Sequence, residues 1–317
     1  MRILITGATG LIGAALTPVL CSRGHDVTRL VRSASASGAG LVHWDPDSGT
    51  IEAAALEGLD GVVHLAGENI AAKRWTATQK ERILESRVRG TRLLSESLAR
   101  VARPPRVWVS ASATGYYGNR ADEMMREESP PGSGFLPDVC IAWEAATKVA
   151  EARGIRVVHL RTGVVLSRSG GALAKMLPVF RMGAGGVIGS GRQYMSWIAL
   201  DDVVGAIHHA LTKDGLRGPV NAVAPAPVTN REFTKTLGRV LSRPALFPLP
   251  AFAARLALGE MADELLLASQ RAEPARLVAS GYEFRFPDLE GALRHLLERP
   301  AGGVSRRSKT AHPPGTA

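Results

Sequence analysis

Short apolar runs alternate with longer amphipathic stretches over the first two-thirds of the chain. Residues 2–6, 26–31, 61–65, 106–110, 156–161 and 219–223 read as strands, and stretches at about 11–23, 76–101, 138–153 and 200–212 read as helices. Runs such as Val62-Val63-His64-Leu65 are apolar on both faces, as parallel strands covered on both sides are. This alternation predicts an α/β fold built on a doubly wound parallel sheet, the Rossmann arrangement. Past Leu166 the character changes. Glycines crowd the region from Gly170 to Gly191 and helices follow Thr229, which predicts a smaller C-terminal part on the substrate side of the sheet. The expected division is a dinucleotide-binding domain over 1–167, to which 196–226 returns. The smaller part takes 168–195 and 227–299, and 300–317 forms a disordered tail.

With 317 residues, 45% hydrophobic and 21% charged, the composition is that of an ordinary globular chain with room for a large core. The formal charge of +10 raises the question of nucleic-acid binding. The basic residues are scattered and form no long run, so no nucleic-acid partner is expected, and a basic surface suits an anionic cofactor or substrate better. Two distant cysteines, Cys21 and Cys140, give neither a disulfide framework nor a metal motif. The first strand starts at Arg2, ahead of any leader pattern, which sets a cytoplasmic expectation. The apolar region 245–269 is interrupted by Arg255, Glu260, Asp263 and Glu264, so no membrane span is expected.

The first strand runs directly into Gly7-Ala8-Thr9-Gly10-Leu11-Ile12-Gly13 and then into a helix with apolar Leu16, Val19 and Leu20. At such a junction one glycine permits the tight turn, one admits the pyrophosphate, and one lets helix and strand pack closely, while free N–H groups at the helix start face the phosphates. The expected cofactor contacts are Gly7, Thr9, Gly10, Leu11, Ile12 and Gly13. An NAD site would place an acid at the end of the second strand to hold the ribose 2′-hydroxyl. Here the strand reads Val27-Thr28-Arg29-Leu30-Val31-Arg32-Ser33. A guanidinium and a hydroxyl, Arg32 and Ser33, stand where a 2′-phosphate would lie, which predicts NADP(H). The plainer alternative is that Arg32 is a solvated charge at a strand end.

The run Thr6 to Gly13, together with His64-Leu65-Ala66-Gly67, Gly90-Thr91 and the segment Ser112 through Gly118, resembles the extended short-chain dehydrogenase/reductase superfamily. The resemblance implies that Leu65, Ala66 and Gly67 form a second cofactor loop. In that superfamily a Tyr four residues before a Lys on one helix performs the proton transfer, since i and i+4 share a face and the ammonium lowers the phenol's pKa. No Tyr-xxx-Lys occurs in this chain. Cys140 and Glu144 fall at the two positions, or Glu144 and Lys148 if the register shifts by one turn. The Asn expected before Gly90-Thr91 is replaced by Arg in Ser86-Arg87-Val88-Arg89, and the serine segment is one residue longer than usual.

These departures, with Leu65-Ala66-Gly67-Glu68-Asn69-Ile70, Lys73-Arg74-Trp75, Trp143-Glu144, Arg161-Thr162-Gly163 and Gly191-Arg192-Gln193-Tyr194, resemble the atypical epimerase-like family 39U (YfcH-like) group of that superfamily, from residue 1 to about 298. The resemblance implies an NADP-binding protein named for epimerase or oxidoreductase chemistry. The candidate catalytic residues are Ser112 at a strand end, Tyr116 as a nearby phenol, and Glu68 just after the cofactor loop. Arg192 and Gln193 are candidate substrate contacts; Trp197 and His64 read as structural, and Cys140 lacks the paired His a nucleophile needs. No metal site is expected. The leading function is an NADP(H)-dependent oxidoreductase or epimerase acting on a small polar substrate. The alternative is a non-catalytic NADP(H)-binding sensor or regulatory protein, with oligomeric state undetermined.

Overall fold

The computed structural model describes residues 1–32 and 38–298. Ser33 and the tail 300–317 lie outside the described residues. One sheet holds β1 (Arg2–Thr6), β2 (Asp26–Val31), β3 (Leu41–Asp45), β4 (Thr50–Ile51), β5 (Gly61–His64), β6 (Val107–Ala113), β7 (Arg156–Thr162) and β8 (Gly218–Ala222). The order across the sheet is β8-β7-β6-β5-β1-β2-β3-β4, parallel throughout except for β4, which pairs antiparallel with β3. The chain moves outward from β1 through β4 and then returns to β5 on the other side of β1. That reversal opens a crevice beyond the C-terminal ends of β1 and β5, where open α/β sheets bind ligands.

The helices that concern the site are α1 (Leu11–Ser22), α2 (Ala77–Arg100), α3 (Phe135–Ala145), α4 (Lys148–Ala152), α5 (Gly171–Arg181), α6 (Leu200–Thr212) and α7 (Asn230–Val240). Alternate residues of each strand feed two cores, as a period of two requires. Ile3, Ile5, Val63, Val107, Val109, Val158 and Leu160 pack with Leu16 and Leu20 of α1 and Ile207 of α6. Leu4, Val62, Trp108 and Val157 pack on the other face with Leu94 and Leu98 of α2 and Ala150 of α4. Each fully buried Val, Leu or Ile contributes roughly 1.5–3 kcal/mol, so the two-faced apolar runs themselves commit the sheet to being covered on both sides. Thr76 starts α2 by accepting the Gln79 N–H on its hydroxyl at 3.2 Å, an N-cap worth about 1 kcal/mol.

The single helix expected over 138–153 is two helices. The break falls at Thr147, whose hydroxyl donates to the Glu144 carbonyl at 2.8 Å and so competes with the helical ladder. Strands β3 and β4 were absent from the sequence expectation; at the sheet edge they carry only Trp44 as a fully buried anchor, and the alternation is correspondingly weak. In the C-terminal part, Leu173, Leu177 and Phe180 of α5 and Phe233 and Leu237 of α7 form a third core around Trp197. The dense glycines here serve backbone packing. A Cβ at Gly186 would run into the Phe247 carbonyl, in a stretch where Ala184 bridges Ala245 and Ile188 bridges Leu249. A short strand at Met124–Met125 pairs with Arg271–Ala272 and ties the C-terminal part to the loop after β6. Among the described residues no helix is long and apolar enough to cross a membrane.

Candidate functional site

The turn after β1 is shaped by close backbone approach. Gly7 has φ +68°, and a Cβ there would lie 2.8 Å from the Leu65 carbonyl group, so β1 and β5 can end side by side only with glycine at this position. At Gly13 a Cβ would overlap the Gly7 carbonyl, which fixes α1 tightly on the turn. Gly10 is the exposed N-cap of α1 and supplies no side-chain cap, leaving the first-turn N–H groups of Leu11, Ile12 and Gly13 as a positive helix end at the crevice. Thr9 is exposed beside it. Leu11 turns to the C-terminal part, where Gly170 and Gly171 pack on its side chain.

The facing loop is held by a buried relay. Thr6 Oγ1 accepts the N–H groups of Leu65 and Ala66, both at 3.1 Å, so its proton is directed to His64 Nδ1 at 2.7 Å. The imidazole then carries its own proton on Nε2 and donates to Thr91 Oγ1 at 3.0 Å. Burial pulls the His64 pKa down to about 3, so the ring is neutral and structural. Gly67 closes the loop over the side chain of Arg87, with the Glu68 N–H donating to Ser86 Oγ at 3.0 Å. Arg32 is exposed at the end of β2, where its carbonyl meets His43 Nε2 at 3.1 Å.

Beyond β6 and β7 lies a cavity of about 300 Å³, which meets the 65–67 loop at Arg87. Its apolar wall includes Ile70, Leu136, Val139, Trp143, Met176 and Leu265; Arg87, Thr114, Cys140, Gln193, Glu264 and Gln270 supply the polar groups that line it. Thr114 donates to Gln270 Oε1 at 2.8 Å. Gln193 spends its amide N–H groups on the carbonyls of Ile188 and Leu266. Glu264 reaches the start of α3, where burial raises its pKa and the N–H groups of Leu136 and Phe135 counter that rise. The Cys140 thiol donates to the Ala113 carbonyl at 3.8 Å, and burial pushes its pKa up to about 12, which rules out a thiolate nucleophile near neutral pH.

Behind the cavity wall lies a buried ion-paired cluster. Ser112 Oγ donates to Glu144 Oε1 at 2.6 Å, and Arg161 clamps the same carboxylate through Nε at 2.8 Å and Nη2 at 2.9 Å. Arg161 and Glu144 side chains are 3% and 12% exposed, so this is a desolvated bidentate pair. Burial alone would lower the Arg161 pKa, but the bonds to Glu144 outweigh it and the net shift is upward. Arg161 also stacks on Tyr116, with Cζ 3.4 Å from the ring centroid, and donates to Tyr117 Oη at 3.1 Å. Burial pushes the Tyr117 pKa up to about 12, and its hydroxyl donates to Asn221.

The residues expected to carry chemistry are therefore dispersed. Ser112 and Tyr116 meet at the Arg161 cluster and do not line the cavity; Glu68, just after the 65–67 loop, does not line it either, though its charge favours that of Arg87. Cys140 and Glu144 do occupy successive turns of α3, but they face different neighbours, Ala113 and Ser112. Gln193 lines the cavity; Arg192 is exposed; Trp75 and Trp197 are core, with indole N–H groups bonded to the carbonyls of Ile70 and Ala226. Sequence reasoning did not single out Thr114, Glu264, Gln270 or Arg87 as site residues. A signal existed for Arg87: it falls on the stripe of α2 that also carries Ile83, Gly90, Thr91 and Leu94, all buried, so a charge there interrupts an inward face.

A glycine turn closed against a second loop at the switch point of a doubly wound sheet defines a dinucleotide-binding protein of the Rossmann class. The chain belongs to the NAD dependent epimerase/dehydratase family, whose profile matches residues 3–222, and a domain of unknown function, DUF1731, matches residues 249–296. It is 46% identical over 298 residues to the epimerase family protein Mb2239 of Mycobacterium bovis, covering 94% of this chain and 98% of that one. The human epimerase family protein SDR39U1 (isoform 2), solved with NADPH, superposes with a TM-score of 0.86 at 39% identity, covering 95% of this chain and 100% of that one. A nucleoside-diphosphate sugar epimerase from Corynebacterium glutamicum superposes at 0.78, also 39% identical, over 94% of this chain and 58% of that one.

Proposed function

We propose that the chain is an NADP(H)-dependent oxidoreductase or epimerase for a small substrate held in the cavity beyond β6 and β7. The observation that carries this reading is that the two sites meet at one side chain: Arg87 packs under Gly67 of the Leu65-Ala66-Gly67 loop, which closes on the Gly7 turn, and also lines the cavity of about 300 Å³ at the ends of β6 and β7. The shape fits the cofactor. Gly7 and Gly13 occupy positions a Cβ would fill, and Gly10 leaves the α1 N-terminus uncapped for a pyrophosphate. Gly7, Thr9, Gly10, Leu11, Ile12 and Gly13 hold the phosphates, Leu65, Ala66 and Gly67 flank the nicotinamide half, and Arg32 with Ser33 takes the 2′-phosphate. A nicotinamide nucleotide bound there supplies hydride donation or acceptance. The NADPH in the human relative's structure supports this choice. Segments 168–195 and 227–299 form the substrate side.

Proton transfer falls to Glu68 on the cofactor loop. Ser112, tied to Glu144, and Tyr116, stacked on Arg161, act as positioning residues that set the β6 end. A non-catalytic, NADP(H)-sensing role is the second reading, favoured by one observation: the hydroxyl of Ser112 is committed to a carboxylate that Arg161 already holds. Titration with NADPH and NADH, followed by incubation with a carbonyl panel, separates the readings. The enzyme reading expects NADPH to bind at least about tenfold more tightly than NADH and to lose hydride to some member of the panel, and Arg32→Asp to erase the cofactor preference. Tight NADPH binding with no turnover supports the sensor. Preference for NADH in the unaltered protein defeats the assignment of Arg32.

A further inference from the structure

Two arginines stand near the ends of the sheet, Arg161 buried and Arg87 partly buried, and they differ in company. Arg161 is paired through two bonds with Glu144. Arg87 has no carboxylate within salt-bridge distance among the described residues. Its hydrogen bond runs from Nη1 to the Ile83 carbonyl of its own helix at 3.0 Å, and its Cζ lies 5.0 Å from the Trp143 ring centroid. Both side chains line the cavity, and Arg87 is its one basic residue. The Trp143 indole N–H is buried with no hydrogen-bond partner among the described residues. The guanidinium thus packs on an indole ring at the cavity wall, with the indole N–H itself covered. Glu68 favours the Arg87 charge from a distance without pairing with it, so the guanidinium keeps N–H groups for a ligand that brings negative charge and acceptor oxygens.

The remaining wall limits the ligand's other end. Leu136, Val139, Met176 and Leu265 offer no hydrogen bonds, Gln193 has its N–H groups committed, and Glu264 is engaged at the start of α3, while Tyr194, Asn230 and Gln270 add polar side chains to the lining. The apolar part of the wall suits a hydrocarbon body, which leaves no hydroxyl unpaired against it. We propose that the cavity takes a small organic acid, its carboxylate seated on the Arg87 guanidinium beside Trp143 and its apolar body against Leu136, Val139 and Met176. This deepens the NADP(H) reading by naming the substrate class of the same site, and rests on it for the chemistry performed. Arg87 is then the residue that specifies charge at the substrate position, occupying the place on α2 where the superfamily resemblance leads one to expect an asparagine.

The test uses the whole protein and the straight-chain acids from propanoate to octanoate, each paired with its neutral amide, followed by tryptophan fluorescence with and without saturating NADPH. At least one acid is expected to bind about tenfold or more tightly than its amide, with the signal lost in Trp143→Phe. Arg87→Gln is expected to bring acid and amide to equal affinity, and Arg87→Lys to restore part of the preference. NADPH affinity is measured on Arg87→Gln and Arg87→Lys alongside, because this side chain also packs under Gly67. The proposal is overturned if no acid binds, if amides bind as well as acids in the unaltered protein, or if the preference survives Arg87→Gln. It is equally overturned if Arg87→Gln loses NADPH affinity tenfold, since the guanidinium would then serve the cofactor. Should NADPH fail to bind at all, the cofactor reading falls, while the acid and amide comparison in its absence still decides the carboxylate seat. The acid and amide comparison in the unaltered protein does not depend on any variant folding.

Discussion

The two sides of the crevice are built from different materials. On the glycine-turn side the shape is made by main chain: Gly7 against Leu65, Gly13 against Gly7, and a loop held by the Thr6, His64 and Thr91 relay. On the cavity side it is made by side chains drawn from α2, α3, the 188–196 loop and residues 264–270. A site built of main chain has little room for substitution, because nothing flexible stands between the added atom and the sheet. A site built of side chains can change its ligand without moving the sheet.

The largest expected effect tests the first half of that contrast. Gly13→Val places a branched side chain on the Gly7 carbonyl, and should abolish measurable NADPH binding by calorimetry while lowering stability by roughly 2–3 kcal/mol. Binding within tenfold of the parent would show that the turn is not rigid. Next come the two arginines, which sharpen the other half. Arg161→Met strands Glu144 in a buried site and should cost about 3–5 kcal/mol in urea unfolding, with much of the loss recovered by adding Glu144→Leu. Arg87→Met should cost about 1 kcal/mol or less, since it removes a charge that makes no ion pair with the protein. Equal losses would mean that Arg87 is paired as firmly as Arg161.

The last effect is a pH dependence centred on His64. Its folded pKa, lowered by burial from 6.5 to about 3, means that the unfolded chain binds the extra proton between those values. Stability from this group is therefore full above pH 6.5 and declines as pH falls toward 3, by at most about 1.4 kcal/mol per pH unit. Urea midpoints at pH 7, 5.5 and 4.5 should show a slope that flattens in His64→Gln. An unchanged slope would place the titrating group elsewhere.

What was legible in the chain follows the same division. The β1 and β5 strands, α1 and the glycine turn announce themselves because each depends on local signals: a two-faced apolar run, a helix stripe, glycines where no Cβ fits. Thr76 likewise marks the start of α2 within a residue. The break at Thr147 was hidden, since a hydroxyl folding back on a carbonyl leaves no periodic trace. The cavity was the least legible part, because Thr114 and Gln270 become neighbours only through the pairing of Met124–Met125 with Arg271–Ala272. Ser112 was expected at a strand end, where it lies, but no local pattern could reveal that Glu144, held by Arg161, would claim its hydroxyl.

The reach of Glu264 to the first turn of α3 also bears on the timing of assembly during synthesis. The large sheet has all its strands once residue 222 has emerged, yet the segment from Thr114 to Phe135 is braced by Glu264, Gln270 and Ala272, which follow later in the chain. At roughly 5–20 residues per second the lag is several seconds. In that interval a nascent chain has a finished glycine turn and an unfinished cavity, with Leu136 and Val139 awaiting their cover. The last fifth of the polypeptide thus decides when the apolar side of the crevice is first sealed from water, and a chain stalled before it would carry that surface exposed.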